Sequence, residues 1–107
     1  MTTFQDRERA EEAKFAHDEE NEFRVHARRN RLLGTWAAER MGLSPAETEA
    51  YAKSVVQADF EESGEEDVVR KILGDLIAAA VDANEGEVRT ALKAKDVEAR
   101  RALIGEA

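Results

Sequence analysis

Apolar residues recur at helical spacing in four stretches of the chain, and the first stretch carries them over only half its length. Between Phe23 and Met41 stand Phe23, Val25, Leu32, Leu33, Trp36 and Met41. Between Thr3 and Glu22 the only large apolar side chains are Phe4 and Phe15. A helix packed on its own domain along its whole length needs an apolar stripe along that length. The pattern therefore predicts one long helix, started by a Thr3/Asp6 capping pair and stopped by Gly42 at a C-terminal cap position. Its back half packs on the domain. Its front half projects as an arm, helical or disordered when alone, because short charged helices are marginal in water.

Three further helices follow. Ser44-Pro45-Ala46-Glu47 reads as N-cap, first-turn proline and capping-box glutamate. Behind it, Tyr51, Val55 and Phe60 offer an inner face, and the small residues Ala46, Ala50, Ala52 and Ala58 allow close approach. A third helix begins after Ser63-Gly64, with Glu65, Glu66 and Asp67 at its positive end. Val69, Ile72, Leu73, Leu76 and Ala80 form its stripe, widened by Val68 and Ile77, and Asn84 or Gly86 breaks it. A fourth helix is predicted from about Glu87 to Ile104, with Val88, Ala91, Leu92, Ala99, Ala102 and Leu103 on one face. Lys95 interrupts that face, its stem lying on apolar surface while the ammonium reaches water. Short connections favour antiparallel neighbours. The fold class is all-α, a four-helix bundle over residues 21–107 with a projecting arm over residues 1–20.

Composition agrees and excludes much else. A chain of 107 residues with one proline, no cysteine and 6% aromatic residues supports one small helical domain without disulfides, thiolate metal sites or a large aromatic cavity. No signal-peptide pattern and no apolar run near the roughly 20 residues of a bilayer span occur, so a cytoplasmic protein without membrane insertion is expected. The net charge of −8 argues against nucleic acid as partner. That charge is unevenly placed: residues 1–22 hold eight acids and three bases, whereas the next nine residues hold Arg24, Arg28, Arg29 and Arg31 and no acid. An acidic arm with a basic collar can engage different parts of one large partner.

Catalytic and metal chemistry find no support. Asp59, Glu61, Ser63, Gly64 and Asp67 fall at the first, third, fifth, sixth and ninth positions of an EF-hand-like frame. The position that needs a bidentate glutamate is Arg70, a cation that opposes calcium. His17 and His26 are too far apart to share a helical face as ligands, and His26 reads as a boundary or core residue. Ser44, Ser54 and Ser63 lack a nucleophile-elbow sequence. The six glycines are scattered and form no phosphate loop. What remains is binding. Phe4 and Phe15 either fold back onto the bundle, stand as ordinary surface aromatics, or anchor in a partner's groove, flanked by Arg7, Arg9 and Lys14 for acidic rims. A second reading is a small nucleotide-binding module that uses Arg24, Arg28, Arg29 or Arg31 for phosphate, since guanidinium suits phosphate. A helical adaptor is a third.

Several blocks resemble the zeta subunit of alphaproteobacterial ATP synthases. They are Thr2-Thr3-Phe4, Asp6-Arg7-Glu8, Ala13-Lys14-Phe15-Ala16-His17-Asp18-Glu19-Glu20, Ala27-Arg28-Arg29-Asn30-Arg31-Leu32-Leu33-Gly34 and Trp36-Ala37-Ala38-Glu39. Gly42-Leu43, Ala50-Tyr51-Ala52-Lys53, Val55-Val56, Ala58-Asp59-Phe60-Glu61, Glu66-Asp67-Val68 and Arg70-Lys71 continue the pattern. The resemblance implies a regulator, not an enzyme: a monomeric four-helix protein that inhibits ATP hydrolysis by the F-type ATPase, in the cytoplasm and peripheral to the membrane-bound complex. The arm would enter a catalytic α/β interface and meet the γ stalk. Its partner-facing residues would be Thr3, Phe4, Arg7, Arg9, Glu11, Lys14, Phe15 and His17. No cofactor is implied beyond weak adenine-nucleotide binding to the bundle. Two positions depart from the pattern: Glu11 stands where relatives often carry an aromatic, and Lys95-Asp96 where they tend to be apolar.

Overall fold

The computed structural model describes the backbone of residues 2–61 and 64–106 and the side chains of residues 20–59 and 64–103. Four helices follow in order: α1 (Thr2–Arg40), α2 (Pro45–Glu61), α3 (Glu65–Ala78) and α4 (Glu85–Glu106). No strand occurs among the described residues.

Local chemistry sets the boundaries. Gly42 takes φ 73°, and the Leu43 and Gly42 amides donate to the carbonyls of Ala38 and Glu39 at 3.1 Å each. That pair of bonds is the Schellman ending, which needs a left-handed residue at its centre. At the start of α2 the predicted capping box is formed. The Glu47 amide donates to Ser44 Oγ at 3.2 Å, and the Ser44 amide donates to Glu47 Oε1 at 3.0 Å. The Ser44 amide donating to the Glu47 carboxylate holds the pKa of that group below the ordinary glutamate value.

The third and fourth helices differ from expectation at their junction. α3 stops at Ala78, and Ala80 lies outside the helix at φ 63°. The amides of Val81 and Ala80 donate to the carbonyls of Leu76 and Ile77 at 2.9 Å each, a second Schellman ending built on alanine where glycine is usual. α4 starts at Glu85, ahead of Glu87, because Asn84 caps it. The Glu87 amide donates to Asn84 Oδ1 at 2.9 Å, and Asn84 Nδ2 donates to Glu87 Oε1 at 3.2 Å.

The core joins all four helices through Leu33 and Ala37 of α1, Val55 of α2, Val68, Val69, Ile72 and Leu76 of α3, and Val88 and Leu92 of α4. α1 and α2 approach closely at Gly34, where an added Cβ would stand 2.8 Å from the Ala52 Cα and 3.2 Å from Val55 Cγ2. Three apolar expectations are corrected. Phe23 and Ile77 are 56% and 59% exposed, because each faces outward from its helix, off the core stripe. Ala46 and Ala50 are exposed on the outer side of α2, and Ala52 is the buried small residue. The Phe60 side chain lies outside the described residues. Lys95 behaves as expected, its ammonium reaching Glu98 at 3.3 Å with the side chain 27% exposed.

Candidate functional site: the arm and its root

At about 1.5 Å per residue, the 39 residues of α1 span roughly 58 Å. The principal extents of the molecule are 64 × 24 × 23 Å, so α1 sets the long dimension and its front part projects beyond the bundle. Among the described side chains, residues 20–24 are exposed or half-buried, and Val25 is the first that the core takes in. Thr3, Phe4, Arg7, Arg9, Glu11, Lys14, Phe15 and His17 belong to α1, and their side chains lie outside the described residues.

The root of the arm is held by a polar network that crosses the bundle. Arg100 of α4 engages both oxygens of Glu22, with Nη2 donating to Oε2 at 3.0 Å. Its Nε also donates to Asp96 Oδ2 at 2.8 Å. Asp96 stands 3.9 Å from Arg29 Nη1, and Arg29 Nε donates to Asn30 Oδ1 at 3.1 Å. Asn30 Nδ2 donates to Asp59 Oδ2 of α2 at 2.9 Å, and Asp59 Oδ1 accepts from the Gly64 amide at 3.4 Å. Buried polar groups are costly without partners, and here Arg29 and Asn30 are buried and bonded. Among the described residues no buried side-chain polar atom lacks a partner.

Charge shifts follow from this geometry. The Arg100 guanidinium donating to Glu22 holds that carboxyl below its ordinary pKa, and burial opposes the effect. His26 Nε2 lies 3.4 Å from Glu22 Oε2, which places His26 at the boundary, half-buried on α1. The four arginines of the collar divide. Arg24 pairs with Glu20 at 3.4 Å, Arg31 pairs with Glu49, and Arg29 turns inward. Arg28 is half-buried.

The acidic residues about the α2–α3 junction serve structure. Asp59 ties Asn30 to the Gly64 amide, and Asp67 pairs with Arg70 at 3.3 Å. Glu61 and Ser63 lie outside the described side chains. No group of three or more His, Cys, Asp or Glu among the described residues can hold a metal ion. The sequence reading missed Asn30, Asp59, Asp96 and Arg100 as members of one network. Their partners are distant along the chain, with Glu22 and Arg100 separated by 78 positions, and no spacing signal marks them.

Comparison with known proteins identifies the family of this helical chain. The family model of ATPase inhibitor subunit zeta matches residues 1–102. The chain belongs to the ATPase inhibitor subunit zeta family. A protein whose structure was determined by solution NMR is 47% identical, covers 79% of this chain and 96% of its own length, and superposes with a TM-score of 0.68. The comparison with curated proteins gave no match. Membership makes this zeta-family chain an ATPase inhibitor subunit, a regulator associated with ATP synthase. No helix among its described residues is long and apolar enough to cross a membrane.

Proposed function

We propose that this zeta-family chain inhibits ATP hydrolysis by inserting its N-terminal arm, residues 1–20, into a catalytic α/β interface of the F-type ATPase, against the γ rotor. The observation that supports this reading is the mismatch along α1, a 39-residue helix whose first core side chain among those described is Val25. A projecting helix with two aromatics and flanking cations suits helix-in-groove binding. The bundle anchors on the head and keeps the arm at the cleft. Inhibition follows if the arm binds the stalled state better than the rotating states, since a ligand shifts an equilibrium only by its differential affinity. A hundredfold suppression of turnover needs about 2.7 kcal/mol of such preference, within reach of two buried aromatic anchors at about 1.5–3 kcal/mol each.

The arrangement favours this reading over an adenine-nucleotide module. The buried collar arginine, Arg29, is turned inward onto Asn30 and Asp96 of its own chain, and no glycine loop supplies backbone donors for phosphate. Removing residues 1–14 tests the proposal. The truncated chain should keep its helical circular dichroism and thermal midpoint and lose inhibition of ATP hydrolysis by the isolated catalytic head. Undiminished inhibition would show that the arm is not the inhibitory element.

A further inference from the structure

The middle of α1 borders a cleft of about 390 Å³ lined by Phe23, Arg24, Ala27, Arg28 and Arg31, with Val56 of α2 and Leu103 of α4. Its floor is apolar: Phe23 is more than half exposed, and Val56 and Leu103 are half-buried. Every charged residue lining it is an arginine, in a chain whose net charge is −8. We propose that this cleft is a docking surface for an acidic segment of the ATPase head that carries a large apolar side chain. The proposal rests on the inhibitor reading above and adds a second contact to it.

Three observations carry the assignment. First, the charge lining the cleft has one sign and the floor is greasy, so the complementary occupant presents carboxylates beside an apolar anchor. Electrostatic complementarity of this kind fixes partner and register, and arginines with aromatics are the side chains that dominate such contacts. Second, the rim is available for exchange. Arg24 and Arg31 hold Glu20 and Glu49 in pairs that are half exposed or more on both sides, and exposed pairs are worth only about 0–1 kcal/mol. A partner's carboxylates can replace them at little cost. Third, Phe23 adjoins Glu22, the residue by which Arg100 roots the arm. A partner that takes the arm into a cleft meets this surface at the cleft's mouth. A free nucleotide fits less well, because none of the helix starts at Pro45, Glu65 and Glu85 lines the cleft to donate backbone N–H groups to phosphate.

The test uses the full chain with a photo-crosslinking phenylalanine analogue at position 23, and separately at position 4, each bound to the catalytic head. Position 23 should crosslink to a head segment in which carboxylates outnumber basic residues. Phe23→Ala and Arg24→Gln should each weaken binding to the head about tenfold with the helical fold retained, and the Arg24→Gln effect should shrink as salt rises. A crosslink from position 4 without one from position 23, or one from position 23 to a basic segment, overturns the docking proposal and leaves the arm reading standing. A crosslink from position 23 alone overturns the arm reading and supports the docking surface. Silence at both positions overturns both. ATP added to the free chain should leave the amide resonances of Ala27, Arg28, Val56 and Leu103 in place; shifts at these sites together with unweakened head binding by Phe23→Ala would assign the cleft to nucleotide instead.

Discussion

Asn30 sits on α1 at 0% exposure, one turn from Leu33, and by burial alone it should welcome leucine. The network predicts the opposite. Asn30→Leu removes the acceptor of Arg29 Nε and the donor to Asp59 Oδ2. Arg29 is 6% exposed, so water replaces its lost partner poorly. Asp59 is half-buried and keeps the Gly64 amide, so its loss is smaller. Hydrogen bonds to charged groups contribute about 1.5–3 kcal/mol each, whereas burying leucine contributes about 1.5–3 kcal/mol in total. The balance is a destabilisation of about 2 kcal/mol. For a domain of this size, a loss of that order lowers the thermal midpoint by roughly 10 °C. Thermal and urea unfolding followed by circular dichroism measure it. A variant as stable as the parent, or more so, would show that the Arg29–Asn30–Asp59 connection contributes nothing and that the slot is an ordinary apolar one.

Gly34→Ala should cost about 1–3 kcal/mol in urea unfolding, because the new methyl meets the Ala52 backbone at 2.8 Å and the helices must separate. Ala80→Gly should raise stability by roughly 1 kcal/mol, since it relieves a left-handed alanine at φ 63°; its thermal midpoint checks this. Glu22→Gln tests the root of the arm. Arg100 lowers the Glu22 pKa from its ordinary value of 4.5, so the pair stabilises the fold above that value, and the contribution fades as pH falls through the depressed pKa. The parent should therefore exceed Glu22→Gln in stability at pH 7, by less than about 1 kcal/mol for an exposed pair, and the gap should close below pH 4.5; a gap that persists in acid would refute the linkage.

Much of this fold is legible from spacing. Leu33, Val55, Val69, Ile72, Leu76, Val88 and Leu92 stand at helical intervals and are buried, and Ser44 with Glu47 announces α2 by chemistry that forms as written. The end of α3 was hidden because alanine, with no glycine signal, takes the left-handed position at Ala80. The start of α4 was misplaced because Gly86 looks like a breaker, although Asn84 and Glu87 carry a cap. Phe23 counted as a core residue by type and proved to line a cleft. The root network was illegible for a different reason: Arg29, Asn30 and Asp96 are polar, and only the fold brings them to Glu22, Asp59 and Arg100. Asp96 stands where the resemblance implies an apolar residue, and it is the carboxylate that Arg29 and Arg100 share.

Amide hydrogen exchange along α1 tests most directly whether the arm depends on another protein to hold it. In the free chain, residues 2–19 should exchange within seconds while residues 25–40 stay protected, and on the catalytic head residues 2–19 should become protected too. Protection of residues 2–19 in the free chain equal to that of residues 25–40 would contradict the account.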